Sequence, residues 1–152
     1  MKIIIADDEP IAVESLVYMI NKNFDNLEIA GTARTGKDAI ELAIKTNPDI
    51  VIMDINMPGI NGLDAIKRIK DINSNVCFLV ITAYDYFDYA VESVALGVED
   101  YLLKPVKEKE FVKTLKSIMD MVEDRSSRMQ GILDQQEKLK LATPAIEASF
   151  IY

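Results

Sequence analysis

Histidine and tryptophan are absent from the 152 residues, and cysteine occurs once. Without histidine there is no His-containing catalytic triad, no His-rich metal site and no phospho-histidine relay within the chain. A lone cysteine excludes an intrachain disulfide. Set in the apolar run Val76-Cys77-Phe78-Leu79-Val80-Ile81, it reads as a small buried hydrophobe. Positive charge is scarce over most of the chain: residues 1–104 hold 9 Lys and Arg against 17 Asp and Glu, net −8, while residues 105–152 hold 8 of each. So acidic a surface is a poor nucleic-acid binder, because binding needs a basic patch to displace counterions. No apolar run approaches the ~18 residues of a membrane span. Met1-Lys2-Ile3-Ile4-Ile5 reaches Asp7 before an export signal's apolar core could form. These absences predict a cytoplasmic protein with no membrane contact. What is present suffices for one compact domain with room for an appendage: 49% aliphatic, aromatic and sulfur residues and 28% charged.

Four short apolar runs stand out, Ile3–Ala6, Ile50–Met53, Val76–Ile81 and Tyr101–Leu103, with a weaker one at Leu27–Gly31. They are rich in branched residues and mostly lack polar alternation, the pattern of strands covered on both faces. Segments of helical period lie between them. Val13, Leu16, Val17 and Ile20 recur at i, i+3, i+4 and i+7 after Pro10, which suits a helix start. Ile40, Ala43 and Ile44 form a second stripe closed by Asn47-Pro48, and Leu63, Ile66 and Ile69 a third that opens after Asn61-Gly62. Phe87, Ala90, Val91 and Val94 predict the core face of a fourth helix, stopped by Gly97. A fifth begins near Lys107 with Phe111, Val112 and Leu115. Strands alternating with helices predict an α/β fold with a parallel sheet wrapped on both faces. In such sheets the chemistry gathers at the carboxyl ends of the strands, beside a topological switch point.

The first strand runs into Asp7-Asp8-Glu9, the third into Asp54, the fourth into Thr82 and the fifth into Lys104-Pro105. These groups should converge on one edge of the sheet. Crowded carboxylates repel one another and raise their own pKa values. A hard divalent cation relieves this, and Mg²⁺ in particular binds through a few carboxylates and expects a phosphoryl oxygen. Lys104 adds a compact positive charge and Thr82 a hydroxyl, which together make a site for phosphoryl transfer. No Ser, His or Cys nucleophile ends these strands, so a carboxylate must accept the group. Asp54 is the best acceptor, central and followed by a loop with Pro58 and Gly59. Taken singly the residues are bland: Asp8 and Glu9 before Pro10 would read as helix caps. Their joint occurrence at four strand ends outweighs that reading.

With Asp7-Asp8, Asp54, Met57-Pro58-Gly59, Gly62, Thr82-Ala83 and Lys104-Pro105, the chain resembles the receiver domain of two-component response regulators over residues 1 to about 122. The resemblance implies a doubly wound, flavodoxin-like five-stranded parallel sheet of order 2-1-3-4-5. It implies that Asp54 takes a phosphoryl group from the phosphohistidine of a sensor histidine kinase. It also implies that Asp8, Asp54 and the backbone carbonyl of Asn56 ligate Mg²⁺, with Asp7 acting through water, while Lys104 and Thr82 hold phosphoryl oxygens. Phosphorylation would draw Thr82 inward, let Tyr101 turn into the vacated space and remodel the surface of the fourth helix, fifth strand and fifth helix, a population shift. Asn56 and Tyr84, two residues beyond Asp54 and Thr82, would tune the acyl phosphate's lifetime. The protein is thereby a signalling switch rather than an enzyme with a separate substrate.

Two other readings of the same residues fit less well. A Mg²⁺-dependent aspartyl phosphatase wants a second carboxylate two residues after its nucleophile as acid/base, and that position here is Asn56. A flavin- or nucleotide-binding module wants a phosphate loop after the first strand, where Asp7-Asp8-Glu9 would repel it.

Tyr86 and Tyr89 fall off the predicted core stripe of the fourth helix, which marks them as interface residues. Beyond the receiver, Leu115, Ile118, Val122, Arg125, Met129, Ile132, Gln136 and Leu139 alternate at spacings of three and four. Over 123–143 this reads as a dimerising coiled coil, hence a homodimer, or as a solvated linker helix. Ser126-Ser127 and Gly131 predict a break. Residues 144–152, with Phe150, Ile151 and Tyr152, read as the start of a truncated downstream region. The stretch from Tyr84 through Val106 resembles receivers that precede a helix-turn-helix domain of the arabinose-operon-regulator type. That resemblance implies transcription regulation through DNA contacts made outside these residues, with a stand-alone receiver acting through protein partners as the alternative.

Overall fold

Strands and helices alternate strictly along the chain: β1 (Lys2–Ala6), α1 (Pro10–Asn23), β2 (Glu28–Ala33), α2 (Gly36–Thr46), β3 (Ile50–Met53), α3 (Gly62–Ile72), β4 (Cys77–Thr82), α4 (Phe87–Leu96), β5 (Asp100–Leu103) and α5 (Glu108–Ala142). This computed structural model describes the backbone of residues 1–83 and 87–142 and the side chains of residues 1–83 and 89–139. The positions singled out at Tyr84 and Tyr86 and the apolar terminus 144–152 lie outside the described residues. The chain divides into two compact units, Met1–Ile118 and Met119–Tyr152.

In the first unit the strands form one parallel sheet in the order β2-β1-β3-β4-β5. This is the doubly wound order expected from the resemblance. Strands β1, β3 and β4 are buried on both faces, with Ile3, Ile4, Ile5, Ile50, Val51, Phe78 and Val80 fully enclosed. Alternate residues therefore feed two cores. Ile4, Ala6, Val51, Met53, Phe78 and Val80 pack with Ala39, Ala43, Leu63, Ile66 and Ile69 of α2 and α3, and α4 adds Tyr89 and Leu96. On the other face, α1 supplies Leu16, Met19 and Ile20, and α5 supplies Phe111, Leu115 and Ile118. Lys22 and Asn23 of α1 both donate to the Glu108 carboxylate at the start of α5, at 3.3 and 3.2 Å.

Local signals set the helix boundaries. Pro10 opens α1, where its missing N–H costs nothing. The side chains of Thr35 and Asn61 accept from the amides of Asp38 and Asp64 at 3.1 and 2.9 Å and so cap α2 and α3. Asn47 ends α2 in the left-handed conformation at φ 49°.

Two expectations fail. The core face of α4 is turned away from the predicted stripe: Val91 and Val94 are 50% and 77% exposed, whereas Ser93 is fully buried and Tyr89 packs against the core cluster. The serine is accommodated because its Oγ donates to the Tyr89 carbonyl one turn back, at 2.8 Å. Tyr89 is thus not off the core face. The predicted break in the long helix is also missing. α5 continues through Ser126, Ser127 and Gly131 to Ala142, because one glycine or a pair of serines costs only about 1 kcal/mol per site in a helix interior.

In the second unit Met119 and Val122 are buried, and from residue 123 to 139 the helix is exposed throughout. Met129, Ile132, Leu133 and Leu139 are each at least half exposed, and Gln130 donates to Asp134 one turn on at 3.1 Å.

Candidate functional site

The backbone ladder delivers the polar residues to one edge. Beyond the last paired residues of β1 and β3, the Asp7 amide donates to the Ala33 carbonyl at 3.0 Å and the Asp54 amide to the Ala6 carbonyl at 2.9 Å. Each aspartate therefore leaves the sheet beside its neighbour strand. Across β4 and β5 the Lys104 amide donates to the Thr82 carbonyl at 2.9 Å, which sets Lys104 next to Thr82. The Lys104–Pro105 peptide bond is cis.

Gly62 sets the loop after Asp54. Its amide donates to the Ile55 carbonyl at 2.8 Å, and a Cβ there would meet the Asp54 carbonyl oxygen at 2.0 Å. Only glycine lets the start of α3 come this close.

One oxygen from each of Asp7, Asp8, Glu9 and Asp54 lies within 4.8 Å of the others. Into this cluster Lys104 projects its ammonium, which donates to Asp7 Oδ2 at 2.7 Å, Asp54 Oδ2 at 3.1 Å and Glu9 Oε1 at 3.4 Å. Asp7 and Asp54 are buried, with side chains only 3% and 4% exposed, while Asp8 and Glu9 stand at the mouth. The other Asp7 oxygen accepts from the Glu9 amide at 2.9 Å, and Asp54 Oδ1 from the Asn56 amide at 3.4 Å.

Four carboxylates against one ammonium leave a local excess of negative charge, and the titration behaviour reflects it. Burial, followed by the charge of Asp7, raises the Asp54 pKa above the ordinary value; Lys104 and the Thr82 hydroxyl oppose this without cancelling it. Burial works against the Lys104 ammonium. Its hydrogen bond to Asp7 and its interactions with Asp54 outweigh that and hold its pKa above the usual lysine value.

A donor set made wholly of oxygen, crowded and short of positive charge, fits a hard divalent cation. Asp7, Asp54, Thr82 and Lys104, predicted from separate strand ends, are thus brought together, with Asp8 at the rim and Asn56 exposed behind Asp54. Tyr101 is half-buried against the core cluster. Sequence reasoning put Glu9 at this strand end but gave it no role beyond a helix cap. It occupies the N-cap position of α1, yet its side chain caps nothing and turns to Lys104 instead. Its place directly after two aspartates at a strand end was the available signal. Among the described residues, no helix is long and apolar enough to cross a membrane.

Known proteins share this fold and part of this sequence. The family described as "Response regulator receiver domain" matches residues 3–116. An uncharacterized transcriptional regulatory protein, YesN of Bacillus subtilis, is 36% identical over 118 residues, which is 78% of this chain and 32% of that protein. The transcriptional regulatory protein BtsR of Salmonella typhi is 32% identical over all of this chain and 61% of its own length. The chain therefore spans one third to about three fifths of these two relatives. Among solved structures, the response regulatory domain of mrkE from Klebsiella pneumoniae superposes with a TM-score of 0.75 at 30% identity, covering 82% of this chain and 99% of that one. The REC domain of AraT, a response regulator from Geobacillus stearothermophilus, gives 0.69 at 33% identity over 84% and 97%. A family match over residues 3–116 takes in well over half of the sequence, and the chain belongs to the receiver domains of response regulators.

Proposed function

We propose that this receiver is switched by phosphorylation of Asp54, with a sensor histidine kinase as donor and Mg²⁺ as the required cation. The observation that carries the reading is the buried Asp54 carboxylate with the Lys104 ammonium 3.1 Å away and three further carboxylates beside it. An Asp54 oxygen would attack the phosphorus of a phosphohistidine, forming the O–P bond as the N–P bond breaks and imidazole leaves. Lys104 would follow the developing charge on the phosphoryl oxygens, with the Thr82 hydroxyl as second donor. Asp8, Asp54 and the Asn56 carbonyl would hold the cation, with Asp7 engaged through water. The bound Mg²⁺ would neutralise phosphoryl and carboxylate charge together. Asn56 and Tyr84 would set the lifetime of the product.

The output lies in a change of the α4–β5–α5 surface, with Thr82 and Tyr101 as its moving parts. Tyr86 and Tyr89 would contribute to the partner surface of α4, with the exposed Val91 and Val94 beside them. The kinship with transcriptional regulatory proteins, and the part of their length that this chain spans, support a transcriptional output. That output would come from a DNA-binding domain outside these residues, of the helix-turn-helix arabinose-operon-regulator type, acting in the cytoplasm. The exposed seam from Met129 to Leu139 supports a homodimer.

The test is intact-mass spectrometry after incubation with a small acyl-phosphate donor and Mg²⁺. The expected result is a single phosphoryl adduct that needs Mg²⁺ and vanishes in Asp54→Asn. An unmodified chain that also fails to bind beryllofluoride overturns the reading. Light scattering with and without residues 124–152 tests the dimer, which should be lost on truncation.

A further inference from the structure

The C-terminal end of α4 is held by a side chain from another helix. Lys70, near the end of α3, donates through Nζ to the Leu96 carbonyl at 2.7 Å and to the Gly97 carbonyl at 3.2 Å. The helix itself ends in a left-handed Gly97 at φ 76°. There the Gly97 amide donates to the Val94 carbonyl at 3.0 Å and the Val98 amide to the Ser93 carbonyl at 3.2 Å. These bonds satisfy the carbonyls of Val94 and Ser93, as in a Schellman-type ending. They leave the Leu96 and Gly97 carbonyls, which Lys70 takes.

The last turn of α4 carries no basic residue, so Lys70 supplies from outside the cation that a helix C-terminus favours. Its ammonium also lies 6.0 Å from the centre of the fully buried Phe78 ring in β4. A Cβ on Gly97 would come within 3.0 Å of Nζ, a contact the flexible lysine end can relieve, so it is the backbone angle that calls for glycine here.

This tether matters because α4 is thinly anchored. Among its described side chains Tyr89 and Leu96 are only partly buried against the core, and the one fully enclosed, Ser93, is small and polar. With so few apolar contacts, each polar tie carries a larger share of what holds the helix. Its two ends also differ in what they touch. The chain enters α4 from Thr82, which hydrogen-bonds Asp54, and leaves it at the carbonyls bound by Lys70.

We propose that Lys70 is a positioning residue for the switch: it pins the C-terminal end of α4 to α3, so that a change begun at Asp54 and Thr82 moves the helix about that fixed end. The pinning stands on the geometry alone. The direction of movement rests on the reading of Asp54 as phosphoacceptor, and two measurements separate them.

The first is amide hydrogen exchange by NMR on the full chain without any phosphoryl mimic, comparing wild type, Lys70→Met and Lys70→Arg. Methionine keeps the stem and removes the charge. Exchange at Gly97 and Val98 should quicken about tenfold in Lys70→Met, the loss expected for one hydrogen bond from a charged donor. Amides of β1 and β3 should not change, and Lys70→Arg should restore most of the protection. Unchanged exchange at Gly97 and Val98, or a rise spread evenly over β1 and β3, overturns the tether.

The second measurement adds beryllofluoride and Mg²⁺ to the same proteins. Wild-type shift changes along α4 should fade toward Leu96 and Val98, whereas in Lys70→Met they should run through Val98. Identical profiles in both overturn the fixed end. If no protein takes up beryllofluoride, the phosphoacceptor reading fails together with the movement, and the exchange result still decides the tether.

Discussion

The two edges of the sheet are made by the same strands and end in opposite electrostatic states. Where β1 and β3 begin, the polar groups close on one another. Asp49 accepts the Lys2 amide on its carboxylate at 2.8 Å, returns its own amide to the Lys2 carbonyl at 2.9 Å, and takes the Cys77 amide on its carbonyl at 2.9 Å. Nearby, Asn73 donates to Asn47 at 2.9 Å. Where the strands stop, four carboxylates share one ammonium. The first edge needs nothing from outside. The second holds more negative charge than Lys104 neutralises, a donor set that suits a cation. That difference locates function without reference to any single motif, because a fold tolerates such an imbalance where a ligand resolves it.

The largest effect that separates the edges is chemical. Asp54→Asn should abolish the phosphoryl adduct outright, whereas Asp49→Asn should leave its yield within about twofold, since Asp49 acts only on stability. Mass spectrometry of both variants reads this directly. If Asp49→Asn also lost the adduct, the edges would not be independent.

Next comes Gly62→Ala, where a methyl group would have to occupy space 2.0 Å from the Asp54 carbonyl oxygen and 2.9 Å from the Ile55 Cα. Backbone cannot yield as a flexible side chain does, so a loss of about 3 kcal/mol in urea unfolding is expected. A loss below about 1 kcal/mol would mean that the start of α3 slides freely over the site.

Lys104→Met should be milder and conditional. Removing the ammonium leaves Asp7 and Asp54 buried without their partner, and an uncompensated buried pair costs a few kcal/mol. Lys104 is 15% exposed, so about 2 kcal/mol is the expected loss. Millimolar Mg²⁺ should recover part of it, because a divalent cation can take over the neutralisation. Thermal unfolding with and without Mg²⁺ checks both halves, and no Mg²⁺-dependent recovery would speak against a cation site there.

At the closed edge, Asp49→Ala should cost about 1 kcal/mol, the worth of one hydrogen bond to backbone, and Mg²⁺ should not change that figure.

The contrast between the edges also explains what the sequence made legible. Unbroken aliphatic runs such as Ile3-Ile4-Ile5-Ala6 can be satisfied only by burial on both faces, so five strands and their polar ends could be read directly. α4 could not be read this way. It is short and carries apolar residues on more than one side, so period alone chose Val91 and Val94 for the core. The structure chose Ser93, which removes its own polar penalty by bonding Tyr89. The contact of Glu9 with Lys104 and that of Lys70 with the Leu96 carbonyl escaped for a related reason: each joins partners distant in sequence. Periodicity carries no information about such pairs.

The smallest effect is a gain in stability, and its sign follows from proton counting. Burial and the charge of Asp7 raise the Asp54 pKa above its ordinary value of 3.8. The folded state therefore holds that proton more tightly than the unfolded state does, and stability falls as pH rises through the interval between the two pKa values. Below the interval Asp54 is protonated in both states and contributes no penalty. Above the interval it is ionised and the penalty is complete. Asparagine is neutral throughout, so Asp54→Asn should match wild type below the interval and be the more stable above it, a gain typical of neutralising a strained functional site. Urea titrations across pH without divalent cations measure the crossover. With Mg²⁺ the order should reverse, because the wild-type carboxylate then has the partner that the variant lacks. A gain independent of both pH and Mg²⁺ would place the imbalance somewhere other than Asp54.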